Sequence, residues 1–207
     1  VIYENELFVT GGGSGTLLTS TDGTSWTSRT SGTTNILYGI TYGNNIFVIG
    51  GESGTILTSS DGTSWTTRTS GTSKYILGVT YGNGLFVSVG ESGTILTSTD
   101  GTSWTARTSG TSVDLENVIY KNGLFMTVGV SGTILTSSDG ISWTAKTSGT
   151  SEGLVGVTYG NGIFVISGGA GTILTSTDGT SWTARTTATS NNLLRVTYGN
   201  GLFVTVG

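Results

Sequence analysis

Apolar and polar residues alternate along this chain in short runs separated by glycine-rich breaks. Ile40-Thr41-Tyr42 alternates as a half-buried strand does. It is followed by the break Gly43-Asn44-Asn45, whose counterpart Gly82-Asn83-Gly84 contains Asn-Gly, a strong hairpin signal. Ile46 to Ile49 is a continuous apolar run, and Gly50 to Gly54 turns the chain again. Thr55 to Ser59 reads as a third strand, Asp61-Gly62-Thr63-Ser64 as a tight turn, and Trp65 to Arg68 as a fourth strand. We label these strands A to D. A longer polar link, Thr69 to Lys74, leads to the next strand A. No segment has apolar residues at helical spacing, so helices are not expected.

The unit repeats every 39 residues, with tryptophans at 26, 65, 104, 143 and 182. Four short antiparallel strands per period, three tight turns and one crossover predict the blades of an all-β propeller. The crossover should carry the chain from the outer strand D of one blade to the inner strand A of the next. A stacked β-solenoid, the competing architecture, would lack tight hairpins. The repeats lie near 1–39, 40–78, 79–117, 118–156 and 157–195, with a partial one at 196–207, and are expected to form a single domain. Tyr3 to Val9 and Tyr198 to Val204 both match an A–B hairpin, so six A–B hairpins accompany five C–D hairpins. Six inner hairpins with five complete blades are expected; a five-bladed ring with a redundant hairpin is the alternative. The chain begins at Val1 and its one methionine is Met126, as expected of a processed product or an excerpt.

The turn between strands C and D reads Ser-x-Asp-Gly-x-x-Trp. It recurs with Asp22 and Trp26, Asp61 and Trp65, Asp100 and Trp104, Asp139 and Trp143, and Asp178 and Trp182. It resembles the Asp-box (BNR) repeat of sialidase-type propellers, although glycine here follows aspartate directly. The resemblance implies a structural turn remote from any binding face. The chemistry agrees: aspartate accepts nearby amides, glycine permits positive φ, and tryptophan anchors the hairpin. Five equivalent positions cannot all serve one active site. The other repeated aromatics, Phe in strand B and Tyr ending strand A, bring the patterned aromatics to seventeen of nineteen and are expected to pack blades together.

Composition narrows the chemistry. There is no His or Cys, which excludes Ser–His and Cys–His nucleophile pairs and an ordinary zinc site. No metal or cofactor is expected. Net charge is −4 with no basic stripe, which argues against nucleic acid. No apolar run reaches the length of a transmembrane helix. The Ser/Thr/Gly-rich, sparsely charged sequence suits an extracellular or cell-surface setting. The repeated Arg29, Arg68, Arg107, Lys146 and Arg185 are expected to form a solvated outer edge. The sialidase resemblance does not extend to activity, because only Arg195 lies off the repeat pattern.

The copies agree at the A–B turns and the box turns, which share one face of the ring, apart from Glu4 and Glu6. They disagree at the B–C turns and D–A links, which share the other. Around a constant apolar residue in each link sit Tyr38, Lys74, Tyr75, Asp114, Glu116, Glu152 and Arg195. Variable loops on a rigid scaffold are where binding usually resides. These residues are the candidate site, with Asp114 and Glu116 expected on one face of a strand. The expected function is a non-catalytic binding or adhesion module for a glycan or protein partner. The alternatives are a structural protein that self-associates by strand addition through its terminal hairpin, and a glycoside hydrolase using two of Glu52, Glu91, Asp114, Glu116 and Glu152.

Overall fold

The computed structural model describes residues 1–207 and contains five four-stranded antiparallel sheets and one two-stranded sheet. Blade 1 comprises β1 (Ile2–Glu4), β2 (Leu7–Gly11), β3 (Leu17–Ser20) and β4 (Thr27–Ser28). Blade 2 comprises β5 (Leu37–Gly43), β6 (Ile46–Gly51), β7 (Ile56–Ser59) and β8 (Thr66–Arg68). Blade 3 comprises β9 (Ile76–Gly82), β10 (Leu85–Gly90), β11 (Ile95–Ser98) and β12 (Thr105–Arg107). Blade 4 comprises β13 (Leu115–Lys121), β14 (Leu124–Gly129), β15 (Thr133–Ser137) and β16 (Thr144–Lys146). Blade 5 comprises β17 (Leu154–Gly160), β18 (Ile163–Gly168), β19 (Ile173–Ser176) and β20 (Thr183–Arg185). The sixth hairpin is β21 (Arg195–Gly199) with β22 (Leu202–Val206). Strands pair in chain order within every blade, as a propeller meander requires. The helical segments are three-residue 3-10 turns at four of the five B–C positions.

Inner strands start earlier than the alternation predicts. Strand A of blade 2 begins at Leu37, three residues before Ile40, and Leu37 pairs with Gly51 across a bulge. Buried backbone groups must find partners, and the extra ladder supplies them. The bulge recurs in blades 3, 4 and 5. Leu37, Tyr38 and Gly39, which precede the alternating run, therefore belong to the innermost strand.

The core consists of four apolar clusters, and each belongs to an interface between consecutive blades. Val9 and Leu17 of blade 1 pack with Leu37, Phe47, Ile49 and Leu57 of blade 2. The next interface joins Val48 and Ile56 to Ile76, Val79, Phe86 and Leu96. Blades 3 and 4, and blades 4 and 5, repeat the arrangement. In strand C the isoleucine faces the following blade and the leucine faces the preceding one. Two adjacent residues on opposite faces of a strand thus serve two interfaces.

Aromatic residues tie each blade internally and to its neighbour. Tyr42 pairs with Phe47 across the A–B ladder, their ring centroids 4.6 Å apart, and Trp65 lies 6.3 Å from Phe47. The Tyr ring also rests on the preceding blade: a Cβ at Gly43 or Gly82 would overlap the ring of Tyr81 or Tyr120. Nearer the axis the inner strands meet backbone to backbone, so a Cβ at Gly39 would lie 2.9 Å from Gly78 Cα. Phe47, Phe86, Phe125 and Phe164 are at most 1% exposed, whereas Phe8 and Phe203, on the two terminal hairpins, are only half-buried.

The box turns share one carboxylate hydrogen-bond pattern, and the tryptophan indole joins it in the first four boxes, whereas the Trp182 indole is buried without a partner. In blade 2 the Asp61 carboxylate accepts from Thr63 N and Ser64 N at 2.8 Å each and from the Ser59 hydroxyl at 2.9 Å. Ser59 Oγ accepts from Gly62 N, and the Trp65 indole donates to the Gly62 carbonyl. Gly62 takes φ +71° and seats on Leu7 of the preceding blade. The direct Asp-Gly step is thus accommodated by positive φ at the glycine. These donors hold all five box carboxylates well below the usual carboxylate range. The four repeated arginines are not a free edge: Arg29, Arg68, Arg107 and Arg185 each donate through Nε to a strand C threonine.

Phe125→Ala is expected to cost about 3–5 kcal/mol in denaturant unfolding, and Phe8→Ala distinctly less, because Phe125 is enclosed by two blades. The box carboxylates carry a pH dependence with a definite sign. A depressed folded-state pKa contributes stability above the unfolded value of about 3.9, and that stability is lost as pH falls further. Asp61→Asn should lower the thermal midpoint at pH 7 and flatten the decline of the midpoint below about pH 4.

Candidate functional site

At the start of β5, β9, β13 and β17, and just before β21, one residue follows a buried apolar residue and opens toward the propeller axis. The buried residues are Leu37, Ile76, Leu115, Leu154 and Leu193, all at most 8% exposed. Their successors are Tyr38, Leu77, Glu116, Val155 and Leu194. The first of each pair packs between blades, and the second opens on the axial side. These five residues, with Arg195, line a cavity of about 410 Å³.

A second cavity of about 260 Å³ shares Tyr38, Leu77, Glu116 and Arg195 and adds Ile2, Ile40, Val79 and Asn117. It is bounded both by the first inner strand and by the residues at the start of the last. The larger depression of about 690 Å³, between Ser14 and Thr34, has only polar and glycine walls. It recurs at blade 2 between Ser53 and Ser73 and is a feature of the repeat rather than an individual site.

The charges at the axial mouth oppose one another. Glu116 is half-buried, and burial, reinforced by the nearby Asp114 carboxylate, raises its pKa. Arg195 acts the other way without cancelling the rise. Arg195 is exposed and donates to the Leu194 carbonyl. Tyr38 stacks loosely with Tyr75, ring centroids 6.4 Å apart at 32°. Its hydroxyl donates to Glu52 at 3.4 Å, and burial with the Glu52 charge raises its pKa.

The structure therefore separates the seven candidate residues. Tyr38, Glu116 and Arg195 open on the axial cavity, and Tyr75 flanks Tyr38. Lys74 is paired with Glu91 at 3.9 Å on the exposed rim. The Asp114 carboxylate accepts Ser92 N of the preceding blade at 2.8 Å. Glu152 is exposed on the link and its carbonyl accepts Gly132 N. Asp114 and Glu116 do not form a pair on one strand face. Asp114 precedes β13, and the bulge after Leu115 breaks the alternation that would align them.

Leu77, Val155 and Leu194 were missed as lining residues. The signal was present in the period: each stands 39 residues, or a multiple of it, from Tyr38. Glu52 and Glu91 have structural roles, their carboxylates accepting the link amides of Ile36 and Tyr75.

Because Glu116 has a raised pKa, its ionisation opposes folding. The folded state is favoured below the unfolded glutamate pKa, and that advantage is lost as pH rises through the folded value. Glu116→Gln should raise the thermal midpoint at pH 7 relative to the parent chain. The difference should vanish below about pH 4, where both side chains are neutral.

The family model of the DUF6242 beta propeller domain matches residues 79–194. No curated protein matches the sequence. Among solved structures, the chain is similar to YCF48 from Cyanidioschyzon merolae, at 20% identity and a TM-score of 0.63, covering 79% of this chain and 60% of that one. It therefore spans less than two thirds of that relative. A structure titled YCF48 bound to D1 peptide matches at 18% identity and a TM-score of 0.52, covering 95% of this chain and 83% of that one. A nidogen/laminin complex contains a chain matching at 12% identity and a TM-score of 0.67, with 96% and 84% covered.

Proposed function

We propose that this chain, which belongs to the DUF6242 beta propeller domain family, is a non-catalytic module that binds a peptide segment of a protein partner at the axial mouth. The observation that carries the reading is the composition of the mouth. Tyr38, Leu77, Val155 and Leu194 provide apolar area, while Glu116 and Arg195 provide one group of each charge. Apolar walls with a few placed polar groups are what recognition of an amphipathic segment needs. All but Arg195, which stands one position later, occupy equivalent positions of the repeat, where the copies differ most, so near-identical repeats present one asymmetric site.

The names of two similar structures support a protein partner: one is bound to a peptide and the other is a protein–protein complex. The glycosidase alternative is weakened by the geometry. A hydrolase needs two available carboxyl groups across a substrate, and Glu116 is the only carboxylate lining the cavity, Asp114 being held by Ser92 N–H.

Panning a random peptide-display library on the immobilised chain should yield peptides that bind the mouth. Their affinity should fall at least tenfold, about 1.4 kcal/mol, in a Tyr38→Ala/Arg195→Ala variant and stay unchanged in Thr102→Ala on the box face. Peptides indifferent to the double variant would sink the assignment. An empty selection beside a positive glycan array would transfer the site to carbohydrate.

A further inference from the structure

On the box face, blades 2 and 3 leave a cleft of about 270 Å³ between them. Its floor is set by a close contact between Ile46 of blade 2 and the box turn of blade 3. Gly101 takes φ +72°, and a Cβ there would lie 2.5 Å from Ile46 Cδ1. Ile46 is the one apolar residue lining the cleft, and six of its nine lining residues are serine or threonine. Such walls suit a ligand rich in hydroxyl groups rather than an apolar segment.

Two opposite charges complete the walls. Arg68 on β8 is half-buried and donates through Nε to Thr58 Oγ1 at 2.8 Å, which holds the guanidinium in place. Arg68 lines the cleft, and its other side-chain N–H groups have no protein acceptor. Asp100 is exposed, and its Oδ1 accepts Ser98 Oγ, Thr102 N and Ser103 N. Its Oδ2 receives no backbone amide. The Ser103 amide, with Thr102, holds the carboxylate well below its usual range, so it is ionised near neutrality. Although both border one cleft, Arg68 and Asp100 form no ion pair; the ion pair of this molecule is Lys74 with Glu91.

We propose that this cleft binds a neutral sugar ring, whose neighbouring hydroxyl groups accept from Arg68 and donate to Asp100. Charge selects the class. A phosphate, sulfate or carboxylate would meet Asp100, and a cation would meet Arg68. A diol is donor and acceptor at once and so serves both, and Thr102 with the serines beside it adds groups of the same dual character. The volume lies below the roughly 300 Å³ at which pockets for drug-sized ligands begin, which fits one ring rather than a peptide. The cleft shares no residue with the axial mouth, and the inference is independent of it.

Blade 4 carries natural controls. The counterpart of Thr102 is Ile141, yet Asp139 still accepts Ile141 N and Ser142 N at 2.8 Å. The counterpart of Arg68 is Lys146, and β16 still forms. Both replacements are thus compatible with an intact box and strand D. The set of Arg68, Asp100 and Thr102 recurs between blades 1 and 2 as Arg29, Asp61 and Thr63. It is broken by Ile141 between blades 3 and 4 and by Lys146 between blades 4 and 5.

The test is an amide chemical-shift titration of the isotope-labelled 207-residue chain with methyl α-mannoside, methyl β-glucoside and methyl β-galactoside. At least one should shift the amides of Ser60, Ser64 and Thr102 saturably, with a Kd of about 1 mM. The amides of Leu77 and Val155 at the mouth should not move. Thr102→Ile and Arg68→Lys should each weaken this binding about tenfold and keep the parent spectrum outside the cleft. No saturable shift with any of the three sugars, shifts centred on the mouth, or undiminished binding by either variant overturns the proposal. So does an equal perturbation by free glycine, whose two charges would assign the cleft to a zwitterion.

Discussion

No blade of this protein can bury its own apolar residues. A four-stranded sheet has two faces, and here both are apolar, with the strand C isoleucine on one and the strand C leucine and strand B phenylalanine on the other. Each core cluster accordingly takes members from two consecutive blades. Between blades 2 and 3, blades 3 and 4, and blade 5 and the sixth hairpin, the strand A tyrosine seats closely on a glycine of the preceding blade, Gly43, Gly82 or Gly160. This dependence on neighbours is the general physics of repeat architectures, and it explains why exposure rises at both ends of the blade series.

The box turns and the axial mouth divide the work of the fold. On one face, five aspartates gather backbone amides and five glycines adopt positive φ, so the hairpins are held identically. On the other face, the links are tied down by backbone ladders and by Glu52 and Glu91, leaving the axial side chains free to vary. Leu77, Val155 and Leu194 can differ from Tyr38 and Glu116 because the residue before each already supplies the burial. Variation at the mouth costs the scaffold little, which is how a symmetric frame acquires an asymmetric surface.

Much of this was legible in the residues. The period, the four strands per unit, the inner position of strand A and the assignment of turns to faces all follow from local pattern. So does the structural role of the box, whose aspartates, glycines and tryptophans bond within nine residues of one another. The site was legible only in part. Tyr38, Glu116 and Arg195 stood out as departures from the repeat, but so did Lys74 and Asp114, which are engaged at the rim, and Glu152, which is exposed on its link. The difference between the two groups is one of direction, set by where strand A starts and by the bulge beside it. Likewise, the strand D arginines read as a solvated edge because their threonine partners lie ten residues away on another strand.

By itself the sequence determined the repeat unit, because hairpins and turns are specified by residues adjacent in the chain: Asn-Gly for the A–B turn, Asp-Gly for the box, alternation for the strands. The tertiary structure alone decided which variable residues share the axial space, and which apolar faces are left uncovered. Both depend on contacts between residues one or more repeats apart. The backbone pairing that extends strand A to Leu37 and the glycine contacts that bring inner strands together around the axis have no counterpart in any local stretch of chain.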